Sequence, residues 1–176
     1  MCNFTENEIK IANQTYRSKG SSVFDKNGNV RSVVALYVLE NVDKKKKILD
    51  FGCGKEFIQG KFLNEKGFNV SGYDFGSNKP KNGVELLQQE YSVVYASNVL
   101  NVQSSMPMMI ETLHQIDSSL EPGGEFICNY PASPRKLLLT ANDLKEILQY
   151  IFKGRVEKVG GTSSAPLWRV QKAYVH

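Results

Sequence analysis

Residues 46–57, KKILDFGCGKEF, constrain the fold more than any other stretch of this sequence. KILDF is a short apolar run and reads as a buried strand. It enters a turn with glycines at 52 and 54 and leaves as a helix from Phe57. Strands that alternate with helices in this way build α/β sheets with helices on both faces, and the strands are mostly parallel. The chain repeats the pattern. FNVSGYDF (residues 68–75) and the first half of YSVVYASNVL (91–100) read as further strands. SMPMMIETLHQIDSSL (105–120) has helical spacing, with Met106, Met109, Ile110, Leu113 and Leu120 on one side.

EPGGEFICNY (121–130) reads as a turn followed by a strand. ANDLKEILQYIF (141–152) is a second amphipathic helix, with Asn142 as its expected cap, and GRVEKVGG and LWRVQKAYV form a terminal strand pair around a loop. Upstream, residues 5–17 look helical with Thr5 as a cap, residues 18–29 form a polar loop, and Val30 to Val42 read as a packed helix. The expectation is one domain over residues 1–176, with 1–43 as a helical cap.

In a sheet of this type ligands bind at the carboxyl ends of the strands. Residues 50–54, Asp74, 97–99 and 129–131 are therefore expected on one rim. Gly52 and Gly54 let the backbone turn tightly and approach a ligand. A dinucleotide fingerprint needs a third glycine at residue 57, which is Phe57 here, and Glu56 places negative charge where a pyrophosphate would sit. The phosphate-cradling G-x-x-x-x-G-K-[ST] is missing from the sequence. S-adenosylmethionine escapes both objections. Asp50 and Glu56 suit its cationic parts, and Asp74 suits its ribose hydroxyls. The plainer readings are a tight turn for the glycines, a cap for Asp74 and a dipole-favoured helix start for Glu56.

ILDFGCG, VSGYD, YSVVYASNVLNV and SSLEPGGEFI, in this order over residues 46–130, resemble four motifs of the class I S-adenosylmethionine-dependent methyltransferases. SNVLNV also loosely resembles methyltransferases of phages and DNA-modification clusters. The resemblance implies a Rossmann-like methyltransferase fold and a cofactor site built from Asp50, Phe51, Gly52, Cys53, Gly54, Tyr73, Asp74, Phe75, Ser97, Asn98 and Val99. Tyr16, Arg17 or Arg31 are candidates for the cofactor carboxylate, with no fixed motif to mark them. The chain departs from the family twice. Most members carry a third glycine at the position of Glu56. Only a short polar stretch, residues 76–90, separates the second strand from the next, too little for the usual strand and helix. A trimmed sheet without the third strand, and with the second strand at its edge, is expected.

Methyl transfer is a direct displacement that needs alignment more than a catalytic dyad. Cys53 reads as a small loop residue, His114 as a surface histidine, and Met106, Met108 and Met109 as core or helix boundary. The acceptor is open between nucleic acid and a small molecule. Residues 97–100 lack the proline pair and aromatic of amino methyltransferases. Tyr130, Arg135 and Trp168 are acceptor-side candidates, with residues 133–136 and the loop GTSSAPLW as one wall. A net charge of +4 favours polyanions only slightly, and Lys44 to Lys47 read as a solvated turn. Three cysteines without paired spacing argue against a disulfide framework or a metal site. No apolar run reaches the roughly 20 residues of a membrane span, and the N-terminus is not a secretory signal. A soluble protein in the reducing cytoplasm, of open oligomeric state, is the expectation. Two other readings remain: a degenerate cofactor-binding domain acting through a partner, and an enzyme that cleaves the cofactor.

Overall fold

The computed structural model describes residues 5, 7, 24–75 and 83–174. The expected helix over residues 5–17, with Tyr16 and Arg17, falls almost wholly outside them. Six strands form one sheet in the order β2-β1-β3-β4-β6-β5: β1 (Lys47–Phe51), β2 (Asn69–Tyr73), β3 (Tyr91–Ala96), β4 (Leu120–Asn129), β5 (Arg155–Gly161) and β6 (Pro166–Gln171). β1 pairs parallel with β2 and β3, and β3 with β4. β6 runs antiparallel between β4 and β5. This is the mostly parallel Rossmann-like sheet with an antiparallel terminal pair. Among the described residues no strand lies outside β2, so β2 is an edge. A 3-10 turn over Gly83–Gln88 takes the place of the third strand and its helix.

The helices cover both faces because their apolar residues are grouped. α1 (Val33–Asn41) and α2 (Ile58–Glu65) pack Val34, Val38 and Leu63 against Ile48, Val70, Val93 and Ile127. α3 (Met106–Ser119) and α4 (Ala141–Phe152) pack Met109, Leu113, Ile116, Leu144 and Leu148 against Leu49, Val94, Phe126 and Val170 on the other face. Two of the helix starts are fixed by serine caps. Ser32 and Ser105 cap α1 and α3 by accepting the amides of Ala35 and Met108.

The structure corrects three local expectations. α4 is capped by Thr140, not Asn142, because Thr140 and Asp143 close a reciprocal capping box. Met106 is exposed, and Met108 takes the packed position in the first turn of α3. The proline-glycine-glycine segment is drawn into β4, at the cost of an irregular register with β3.

The open edge of β2 is managed by one side chain. Asn64 Oδ1 accepts the Val70 amide at 2.8 Å and its Nδ2 donates to the Val70 carbonyl at 2.9 Å. These are the backbone groups a neighbouring strand would otherwise claim. The basic run sits at the opposite end of the sheet from the glycine turn. Lys44 lies over the Phe68 ring, Lys46 faces Glu125, and Lys47 donates to Gln89 and covers Tyr91.

Candidate functional site

The glycine turn follows β1. Gly52 and Gly54 have φ of +80° and +70°, in the left-handed region that favours glycine. The amides of Gly52 and Cys53 both donate to the Tyr73 carbonyl, at 2.7 and 3.0 Å, which ties the turn to the end of β2. The Gly54 amide donates to Asp74 Oδ2 at 2.7 Å, and the Phe75 amide to Asp74 Oδ1 at 2.8 Å. A Cβ on Gly52 would stand 2.5 Å from Val99 Cγ2, so the turn after β3 presses directly on the glycine loop. Asp50, the turn, Asp74 and Val99 thus meet at one rim.

Phe57 occupies the position where a dinucleotide loop needs a glycine. Its bulk is accommodated by glycines elsewhere. A Cβ on Gly72 would lie 2.5 Å from the Phe57 ring and 2.9 Å from Cys53 Sγ, and a Cβ on Gly60 would overlap the same ring. The close approach of helix and strand is kept, with the missing side chains moved to α2 and β2. Phe57 itself sits just before α2 at φ +50°. Glu56 is exposed before the helix rather than in its first turn.

The electrostatics of the rim are dominated by two buried acids. Asp50 is 2 % exposed and Asp74 6 %. Burial pushes the Asp50 carboxyl up to about 8; Tyr95, its neighbour across the β1–β3 ladder, holds the rise back, and the Asp74 charge adds to it. Neither Asp50 Oδ2 nor the Tyr95 hydroxyl has a partner of hydrogen-bond geometry. Asp74 is raised by burial too, against the two backbone amides that favour its ionised form. Burial raises the thiol of Cys53 far out of the reactive range, with the Asp50 and Asp74 charges adding to it.

A second group of polar residues closes the rim over β3. Ser97 Oγ lies 3.4 Å from Ser32 Oγ, and Ser32 donates to Gln59 Oε1 at 3.1 Å. Asn98, at φ +56°, donates its amide to Asn129 Oδ1 at 2.7 Å, and Asn129 Nδ2 returns a bond to Asn98 Oδ1 at 2.8 Å. Ser32, Gln59 and Tyr95 carried no sequence signal as site residues. Only the cross-strand register and the docking of α1 bring them here. Arg31 is exposed.

The acceptor-side candidates are placed differently. Tyr130 is 1 % exposed, with its hydroxyl donating to the Leu139 carbonyl. Trp168 is buried within β6. Arg135 stacks on the Tyr130 ring at 3.8 Å and donates to the carbonyls of Pro131, Tyr130, Leu139 and Ser164. It joins the two loops expected to form one wall, but as an internal strut with four of its five donors taken.

A family model described as a methyltransferase domain matches residues 26–160. No curated protein matches significantly. Among solved structures, a TehB-like SAM-dependent methyltransferase from Corynebacterium glutamicum is similar, with TM-score 0.64 and 17 % identity over 83 % of this chain and 90 % of that one. The 1,6-didemethyltoxoflavin-N1-methyltransferase of Burkholderia thailandensis, bound to 1,6-didemethyltoxoflavin and S-adenosylhomocysteine, has TM-score 0.58 and 14 % identity over 80 % and 76 %. The magnesium protoporphyrin IX methyltransferase of Synechocystis, with bound SAM, has TM-score 0.56 and 16 % identity over 98 % and 86 %. At such identities the likeness shows the fold.

Proposed function

This chain belongs to the class I S-adenosylmethionine-dependent methyltransferases, and we propose that its glycine turn, Asp50 and Asp74 hold the cofactor for transfer to a small-molecule acceptor. The observation that carries this reading is the orphaned Oδ2 of Asp50. A buried carboxyl oxygen without a partner is costly, and a bound ammonium beside the ionised group removes that cost. The residues present suit the group. Asp74 keeps lone pairs for ribose hydroxyls after accepting two backbone amides. Gly52 and Gly54 bring bare backbone to the ligand. Phe51, Cys53, Tyr73 and Phe75 flank it, and Ser97, Asn98 and Val99 border the acceptor. When bound, S-adenosylmethionine supplies a methyl group activated by its sulfonium. The contribution of the chain is alignment in a water-poor rim.

The small acceptor is supported by the placement of the three acceptor-side candidates. Tyr130 and Trp168 are buried and Arg135 is committed to backbone carbonyls, so these three are not presented to stack bases or bind phosphates. The lysine run lies at the far end of the sheet. The reading includes a reducing, cytoplasmic setting, in keeping with the free buried thiols of Cys53 and Cys128. Among the described residues no helix is long and apolar enough to cross a membrane.

Calorimetric titration with S-adenosylmethionine and S-adenosylhomocysteine tests the reading, with Asp74→Ala in parallel. Micromolar binding that is lost in the variant is expected. No binding by the intact protein would overturn the assignment and leave a domain that acts through a partner. Breakdown of the cofactor without any acceptor would point to cleavage instead.

A further inference from the structure

Two buried oxygens with nothing to bond meet across the β1–β3 ladder. Asp50 and Tyr95 are direct partners in that register, so their side chains leave the same face of the sheet, the face covered by α1 and α2. Asp50 is 2 % exposed and Tyr95 0 %. Asp50 Oδ2 and the Tyr95 hydroxyl are both sealed from solvent, and neither has a hydrogen-bond partner among the described residues. They act on one another without being aligned. The phenol favours the charged carboxyl, and the carboxyl charge holds the proton on the phenol.

A buried hydroxyl that bonds to nothing costs stability that phenylalanine would keep. Filling the core against Val34, Val38 and Leu63 therefore accounts for the ring of Tyr95 and not for its oxygen. The hydroxyl is a donor on a rotor, with no bond to give up when it turns. The other titratable groups that act on the pair are Cys53 in the glycine turn and Asp74 beyond β2. Tyr37 of α1 packs against the same cluster, but its charged neighbours are Arg169, Glu125 and Glu157. α2 adds Phe62 and Leu63, which carry no charge. A protonated Asp50 makes little demand on the phenol. An ionised one, in a site this dry, makes a strong demand on any donor in reach.

Resting on the cofactor site proposed above, we infer that Tyr95 is a positioning residue for the cofactor: when Asp50 ionises to meet the ammonium, the Tyr95 hydroxyl turns to donate to Asp50 Oδ2 and holds the carboxylate charged and in place. A carboxylate has lone pairs enough for the phenol and the ammonium together. Tyr95 touches neither the cofactor nor the acceptor, and acts through Asp50 alone.

Tyr95→Phe keeps the ring and removes the oxygen. In the free protein the Asp50 Cγ signal, assigned with Asp50→Asn, is titrated by NMR in wild type and Tyr95→Phe. Its inflection should move up by about one pH unit in the variant, the size of a hydrogen bond to a charged group. S-adenosylhomocysteine affinity, read by calorimetry, should then fall ~10-fold at pH 7 but less than about twofold at pH 9.5, where Asp50 is ionised with or without the phenol. A residue that only packs would weaken binding alike at both pH values. In the wild-type protein the Tyr95 Cζ signal should shift with the same inflection as Asp50 Cγ, a reading that needs no variant. An Asp50 inflection unmoved by Tyr95→Phe, a Tyr95 signal blind to Asp50, or an equal loss of affinity at both pH values would overturn the inference while leaving cofactor binding intact. Failure of the wild-type protein to bind S-adenosylhomocysteine would overturn the cofactor reading, and this role with it.

Discussion

Replacing Asp50 by asparagine should weaken two pH responses of opposite sign. The carboxyl is raised to about 8 by burial, with Tyr95 opposing and Asp74 adding to the rise. In the unfolded chain it ionises near its ordinary value of about 3.9. Between those values the native state holds a proton that the unfolded state has released. The stability of the free protein is therefore whole below about pH 4 and falls as pH rises, until about pH 8. A pKa rise of about four at 1.36 kcal/mol each sets a ceiling of ~6 kcal/mol on this loss. The effective dielectric of real interiors brings the expected loss between pH 5 and 8 to roughly 2–3 kcal/mol.

Cofactor affinity should run the other way. An ammonium beside Asp50 needs the ionised carboxylate, so below about pH 8 binding must expel a proton. Affinity then rises about tenfold per pH unit and levels above pH 8. Urea unfolding at pH 5.5, 7 and 8.5 reads the first response. Calorimetry in buffers of different ionisation enthalpy counts the proton released. In Asp50→Asn both slopes should flatten, leaving only the smaller part that the raised Asp74 carboxyl contributes. Wild type and variant sharing the same slopes in both assays would refute the reasoning, because the titrating group would then lie elsewhere.

Three further outcomes follow from the packing. Gly72→Ala drives a methyl into the Phe57 ring and should cost about 1–3 kcal/mol by denaturant unfolding, with partial recovery when Phe57→Leu is added. Arg135→Ala removes four hydrogen bonds to carbonyls and a ring contact, and should lower stability by about 3 kcal/mol while cofactor affinity holds within threefold by calorimetry. Asn64→Ala should lose about 1–2 kcal/mol and form larger species in light scattering, since the Val70 edge is uncovered.

The parallel strands and the place of the glycine turn and Asp74 at their carboxyl ends were legible because KILDF, FNVSGY and YSVVYA are short apolar runs that lead into those residues. The trimmed edge was legible from the length of residues 76–90 alone. What stayed hidden depends on distant pairs. Phe57 read only as a missing glycine because Gly72, on another strand, could not be seen as its complement. Tyr130, Arg135 and Trp168 looked like a recognition surface because aromatic and basic side chains read alike whether they face solvent or one another. The Thr140 cap was overlooked although T-x-x-D stands in the sequence, since Asn142 lay closer to the apolar run. The Asn98–Asn129 pair depends on the parallel register of β3 and β4, where Ala96 faces Cys128.

The Asn64 clamp also makes the segment between β2 and β3 a replaceable cassette. The Asn64 amide holds both outward backbone groups of Val70, so at that residue a further strand would find no free partner. Grafting a strand and helix between residues 75 and 83 would have to evict that amide first. An insertion that kept Asn64 would hang beside the sheet as a loop, whereas one paired with Asn64→Ala would offer the new strand an unoccupied seam. One side chain thus stands in for a strand at Val70.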